Sequence, residues 1–319
     1  MHEIIYLDGK KVRRGDFANL EKLKSKPLWI DITGITRDEA RRLTEVFGLH
    51  PITEEDITTY RTRIKVEEFP TYLVCIIYGL TMRGIAPKES FEFVDQDFVL
   101  GKNFLISNHP VTVPHVEELK KDDERLLSLF SNGVDHVFHR LVDAEIDNYF
   151  TVLEKMDDLI DHIEEEVTRN PNPAIMTEIL GLKRLLAVVR KTVFHHRDNF
   201  SYLAHGYSQF ISKKLEPYMR DVYDHSIRVS DQVDTYREAV INTFDVYMSA
   251  ISNKLNEVMK TLSVIATIAL PITMISSIYG TNFTNLPGSK AAVGFWVMVA
   301  AMITVVVTML TYFRRRNWF

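Results

Sequence analysis

The sequence predicts an α/β domain, then a bundle or stalk of long helices, then two transmembrane helices toward the C-terminus. Three observations predict it. Short strand-like runs mixed with helix-like segments fill the chain up to about residue 133. From Val134 onward, apolar residues recur every three or four positions over very long stretches. Two uncharged runs, Thr261 to Tyr279 and Ala291 to Tyr312, come last, each long enough for a helix to cross a hydrocarbon core of roughly 30 Å.

In the first region, candidate strands are Glu3 to Leu7, Leu28 to Ile32, Tyr72 to Leu80, Phe91 to Leu100 and Phe104 to Ser107. They are apolar runs rich in β-branched and aromatic residues. Thr36 and Glu39 form a capping-box pair that opens a helix, and Gly48 closes it. Pro51 opens a second, shorter helix. The strand order is not legible at this stage.

The helical region starts with Val134 to Val167, followed by a turn at Asn170-Pro171-Asn172-Pro173. A second helix is expected from Ala174 to Ile211. After Pro217 no breaker occurs until Pro271, so one helix is expected from about Tyr218 to Tyr279. At 1.5 Å per residue it would be roughly 90 Å long, three times what a bilayer requires. Such a helix needs neighbours, which points to a bundle or a homo-oligomer. Glu154, Asp157, Asp158, Asp161, Glu164, Glu165 and Glu166 crowd the first long helix. They read either as a solvated face or as an acidic surface that gathers cations. The histidines, His195 and His196 included, show no zinc-like spacing with carboxylates and are read as surface or core residues.

The net charge of -5 with 25% charged residues leaves no basic footprint for nucleic acid. The single cysteine, Cys75, sits in an apolar run and excludes an internal disulfide or a cysteine zinc site. Met1 to Phe17 contains no continuous apolar signal segment. Lys254 and Lys260 precede the first span and Arg314, Arg315 and Arg316 follow the second, whereas the connecting loop carries only Lys290. Positive-inside bias therefore places both termini in the cytoplasm. The expected plan is a cytoplasmic α/β domain at 1–133, a cytoplasmic long-helix region and stalk at 134–256, a first span at 257–280, an external loop at 281–290, a second span at 291–313, and a basic tail at 314–319.

Along the long helix, Asp245, Ser252, Met259, Ala266, Thr273 and Gly280 recur every seven residues, beside Ser249, Asn256, Ser263, Leu270 and Ser277. A seven-residue repeat keeps one helix face turned toward a common axis. These residues are mostly small or polar, where a coiled coil would place Leu and Ile. Two readings stand: a wet axis between several copies, or close packing through small residues.

The segment Tyr279-Gly280-Thr281-Asn282-Phe283 resembles the Tyr-Gly-Met-Asn-Phe signature of the CorA magnesium/cobalt transporters, with Thr281 in place of methionine. Ser252 to Lys260, Ile265 to Ile268 with Pro271, Arg220 to His225, and the ending Tyr312 to Phe319 are similar to that family too. The resemblance implies a funnel-shaped homopentamer in the cell membrane that carries Mg²⁺ and Co²⁺ inward, with no organic cofactor, no nucleic acid and no enzymatic activity. It implies an outer mouth at Gly280, Thr281 and Asn282, and an ion path lined by Asn256, Met259, Leu262, Leu270 and Thr273. It further implies a basic ring at Arg314, Arg315 and Arg316, and regulatory Mg²⁺ held by Asp221, Asp143 and an acid of the α/β domain, assigned to Glu89. Thr281 and the loop without acidic residues leave a Zn²⁺, Ni²⁺ or Co²⁺ transporter of the same fold as the alternative; a membrane-anchored metal sensor is a weaker one.

Overall fold

A computed structural model describes residues 2–60, 62–83, 90–283, 285–288, 291–316 and 318. They divide into two compact units, residues 1–166 with 173–243, and residues 167–172 with 244–319.

The first unit begins with β1 (His2–Asp8) and β2 (Lys11–Gly15), then α1 (Leu20–Leu23), β3 (Leu28–Thr33), α2 (Arg37–Phe47), α3 (Pro51–Thr58) and β4 (Lys65–Glu68). β5 (Tyr72–Arg83), β6 (Ser90–Gly101) and β7 (Phe104–His109) follow, then α4 (Pro114–Lys121) and α5 (Asp123–Asn132). The seven strands form one sheet in the order β2-β1-β3-β7-β6-β5-β4. Only β3 and β7 pair in parallel; every other neighbour pair is antiparallel. The five strands expected from the sequence are present, each one to three residues longer.

Alternation along the strands separates two apolar faces. Ile30, Ile32, Val74, Ile76, Val99 and Ile106 face Leu20, Leu43, Val46 and Ile57 of α1 to α3. α2 starts as expected: Thr36 accepts from the Glu39 N–H while Glu39 accepts from the Thr36 N–H, and Gly48 ends it in the left-handed region at φ 67°. On the other face, Phe98 packs edge-on to Phe138, with ring centroids 5.5 Å apart.

β2 and β4 are corrections to the sequence reading. Both are edge strands with no fully buried residue, so neither shows an apolar alternation. The helices α4 and α5 were likewise not expected.

Beyond α5 the chain runs as α6 (Val134–Arg169), α7 (Pro173–Ala204), α8 (Glu216–Tyr279) and α9 (Gly294–Arg315). The expected helix to Ile211 ends seven residues early. Gly206 takes φ 71°, which closes α7, and the Ser212 N–H then donates to Asp135 Oδ2 at 3.0 Å. The second span starts at Gly294 and not at Ala291, because Ala291 and Gly294 donate to turn carbonyls of Gly288 and Ala291. Within the first unit, Ile160 and Ile163 of α6, Ile179 and Leu182 of α7, and Val240 and Thr243 of α8 meet around one small void. The acidic residues of α6 from Glu154 to Glu165 are exposed, as a solvated face requires.

Buried polar groups tie the sheet to the helices. Asp31 accepts from Ser107 Oγ at 2.6 Å and from Lys120 Nζ at 2.9 Å, and lies 3.1 Å from His109 Nε2. Burial alone would raise its carboxyl pKa, but hydrogen bonding from His109 and the charges of His109 and Lys120 hold it below the ordinary value. His196, fully buried, accepts the Tyr78 N–H through Nε2 at 3.0 Å.

Candidate functional site

α8, whose residues from 244 on lie in the second unit, and α9 are long and apolar enough to cross a membrane, and almost none of their apolar windows is buried. Pro271 sits inside α8. It removes one backbone N–H, yet the helix continues for eight more residues.

At 3.6 residues per turn, Asn256, Met259, Leu262, Leu270 and Thr273 fall within an arc of about 120°. All five are exposed, Leu270 at 68% and Met259 at 60%. Val264, Ile268, Pro271, Ile272 and Ile275 are buried or half-buried, and they occupy the opposite side of the helix. The expected stripe is therefore one continuous face, set away from the side on which the chain covers itself.

Its hydroxyls point their protons inward. Thr273 Oγ1 donates to the Ala269 carbonyl at 2.9 Å and Ser263 Oγ donates to the Met259 carbonyl at 2.8 Å. A hydroxyl with its proton spent on the helix presents acceptor lone pairs outward. That arrangement suits the water shell of a cation.

α8 ends in a turn. Gly280 N–H donates to the Ser276 carbonyl at 2.8 Å, and the Thr281 N–H and Oγ1 both donate to the Ile278 carbonyl, at 3.3 and 2.8 Å. A Cβ at residue 280 would lie 3.0 Å from the Ser276 oxygen, a tight approach. Thr281 thus closes the helix with its own hydroxyl, a bond methionine cannot make. Asn282 follows directly and is exposed.

At the other end of the same unit, Arg314, Arg315 and Arg316 are exposed. Arg316 lies over the Tyr312 ring at 5.9 Å and Lys260 over the Trp318 ring at 5.8 Å.

The first unit holds a metal-competent cluster. One ligand atom each from Asp143, Asp147 and His225 lies within 4.8 Å of the others. Helix spacing builds it: Asp143 and Asp147 are one turn apart on α6, as are Asp221 and His225 on α8. His225 Nδ1 is 3.4 Å from Asp147, and its Nε2 is 3.7 Å from Asp221. Arg140 donates to Asp143 at 3.0 Å. Asp143 and Asp221 were expected from the sequence; Asp147 and His225 were not. The sequence reading left His225 as a surface or core histidine; the structure sets it beside Asp147 and one turn from Asp221, and that i, i+4 spacing is the signal the sequence offers. Glu89 lies outside the described residues. Carboxylate oxygens suit a hard divalent cation, and the imidazole broadens the set toward softer ions.

Comparisons with known proteins identify the family of the chain. Residues 24–315 match the family model described as "CorA-like Mg2+ transporter protein". The chain is 38% identical over 302 residues to the cobalt/magnesium transport protein CorA of Thermotoga maritima, covering 92% of this chain and 84% of that protein. It is 24% identical over 294 residues to the cobalt/magnesium transport protein CorA of Methanocaldococcus jannaschii, covering 91% of each. The solved structure of the CorA magnesium transporter from Methanocaldococcus jannaschii superposes with a TM-score of 0.82 at 22% identity, over 100% of this chain and 99% of that one. On the length of the family match and the identity to the Thermotoga protein, this chain belongs to the CorA-like Mg²⁺ transporter family.

Proposed function

We propose that five copies of this chain surround the exposed stripe of α8 and carry Mg²⁺, and Co²⁺ with it, into the cytoplasm. One observation carries the reading. Asn256, Met259, Leu262, Leu270 and Thr273 share an uncovered face opposite the covered side of the helix, so identical faces are free to enclose a path. The number five and the funnel are taken from the CorA architecture. Lys254 and Lys260 before the first span, and Arg314 to Arg316 after the second, support cytoplasmic termini and an external loop.

Mg²⁺ dehydrates reluctantly and keeps several waters. The Asn282 carboxamide at the outer mouth and the outward lone pairs of Thr273 and Ser263 are acceptors for such a hydrated ion. Met259, Leu262 and Leu270 supply apolar constrictions that can dewet. A potential of 100 mV, negative inside, favours entry of a dication by about 4.6 kcal/mol, on the order of a thousandfold in concentration. No nucleotide is required. Internal Mg²⁺ bound at Asp143, Asp147 and Asp221 favours the closed state, a ligand selecting one of two conformations.

Metal-competition flux in liposomes tests the reading. Uptake of Mg²⁺ should rise with an inside-negative potential and fall when Co²⁺ competes. A marked preference for Zn²⁺ over Mg²⁺ would overturn the cargo assignment in favour of a zinc transporter of this fold.

A further inference from the structure

A second polar site lies in the first unit, and its wall shares Asp147 with the cluster of Asp143, Asp147 and His225. A cavity of about 410 Å³ opens between β5, β6, the start of α4, and α6, with Gly79, Gln96, His115, Glu118, Glu145 and Asn148 in its wall. Glu145 is 2% exposed and Gln96 also 2%. The Glu145 carboxyl is oriented by three donors. Oε1 accepts from the Leu80 N–H and from Asn148 Nδ2, each at 3.1 Å, and Oε2 accepts from the Gln96 amide nitrogen. The close fit requires Gly79, because a Cβ there would come within 2.6 Å of Gln96 Nε2 and 2.8 Å of the Glu145 carboxylate.

Two polar atoms are left over. Gln96 Oε1 and His115 Nε2 are buried without a hydrogen-bond partner among the described residues. Leaving such groups unpaired is costly, so each calls for a ligand. His115 Nε2 stands 3.7 Å from Glu145 Oε2, too far for a hydrogen bond. Two ligands bound about 2.0–2.1 Å from one tetrahedral ion stand roughly 3.3–3.5 Å apart, so a small adjustment of either side chain would let both bind one ion.

We propose that His115 Nε2, Glu145 Oε2 and Gln96 Oε1 bind a divalent transition-metal ion of the Zn²⁺, Co²⁺ or Ni²⁺ class. The chemistry selects against Mg²⁺, which prefers an all-oxygen octahedron, whereas imidazole suits the later first-row ions. The ligands come from three elements, β6, α4 and α6, so the ion clamps the sheet to both helices. A second hollow of about 210 Å³ adjoins the first through His115, Glu118 and Arg140, and gives the ion a way in. The positive charge of Arg140 is engaged by Asp143 at 3.0 Å.

The test uses the full-length protein carrying His225→Ala, which removes the imidazole of the other cluster, with millimolar Mg²⁺ present to fill oxygen-only sites. Equilibrium dialysis should show one tightly held Zn²⁺ per chain, and zinc-edge X-ray absorption should show a single imidazole in its shell. Adding His115→Ala should abolish the bound zinc, and Glu145→Gln should weaken it at least tenfold. A zinc shell without imidazole scattering in the His225→Ala protein would overturn the proposal without reliance on any further variant. Zinc binding unchanged by His115→Ala would overturn it as well. Neither result bears on Mg²⁺ transport.

Discussion

The backbone N–H of Tyr78 donates to Nε2 of His196 at 3.0 Å, joining strand β5 to helix α7 across 118 residues of sequence. The bond requires an unprotonated Nε2. Burial, reinforced by the neighbouring His195, pushes the His196 pKa down to about 3.

Acid should therefore destabilise the protein through this contact. The unfolded chain takes a proton on His196 near pH 6.5, while the folded chain resists it until about pH 3. Stability from this group is complete above 6.5 and is lost as pH falls through that window, at about 1.4 kcal/mol per unit. His196→Gln retains an acceptor for Tyr78 and removes the titration. Denaturant midpoints measured at pH 7 and pH 5 should separate less in the variant than in the wild type. Equal separations would contradict the assignment.

Lys120 and Asp31, 2.9 Å apart and both buried, should behave as a unit. Lys120→Met takes the ammonium from Asp31, leaving His109 as its remaining charged neighbour, and should cost about 3–5 kcal/mol. Adding Asp31→Asn should recover part of the loss. A double-mutant cycle on unfolding free energy checks this; additive effects would show that the pair is not coupled.

Thr281 donates its hydroxyl to the Ile278 carbonyl at 2.8 Å, and that bond closes the helix. Thr281→Val should lower protection of the last turn of α8 in hydrogen exchange by a few-fold, since one hydrogen bond contributes about 1 kcal/mol. Mg²⁺ should still compete with Co²⁺ as in the wild type, because the hydroxyl proton faces its own helix. A changed ion order would place Thr281 in the selectivity step.

Asp143, Asp147 and His225 meet between α6 and α8. If internal Mg²⁺ restrains transport there, Asp143→Ala and Asp221→Ala should keep flux high at internal Mg²⁺ concentrations that silence the wild type. Flux measured against internal Mg²⁺ in loaded liposomes gives the answer, and an unchanged inhibition curve would remove these residues from regulation.

Features specified locally were legible in the sequence. The capping box of Thr36 and Glu39, the Gly48 stop and the presence of two long apolar helices near the C-terminus were legible because each depends on residues within a few positions. Asn256, Met259, Leu270 and Thr273 were legible on the seven-residue period of α8, whereas Leu262 came only from the family resemblance, and the separation of this face from the covered side was not legible. β2 and β4 escaped notice because edge strands such as Lys11–Gly15 and Lys65–Glu68 bury no residue fully. The end of α7 was misplaced because apolar residues continue past Gly206, and only that glycine marked the stop. The meeting of His225 with Asp147 was not legible because 78 residues separate them in the chain, although the one-turn spacing of Asp221 and His225 was. Helix packing, and no local pattern, brings them together.

Cysteine substitution along α8 tests the central claim most directly, because the lone native cysteine is buried and its thiol pKa is pushed up by desolvation. A methanethiosulfonate reagent should block Mg²⁺ flux through Thr273→Cys, Leu270→Cys and Asn256→Cys. It should spare Ile268→Cys, Ile272→Cys and Ile275→Cys on the covered side. Block by the second set with none by the first would place the ion path elsewhere.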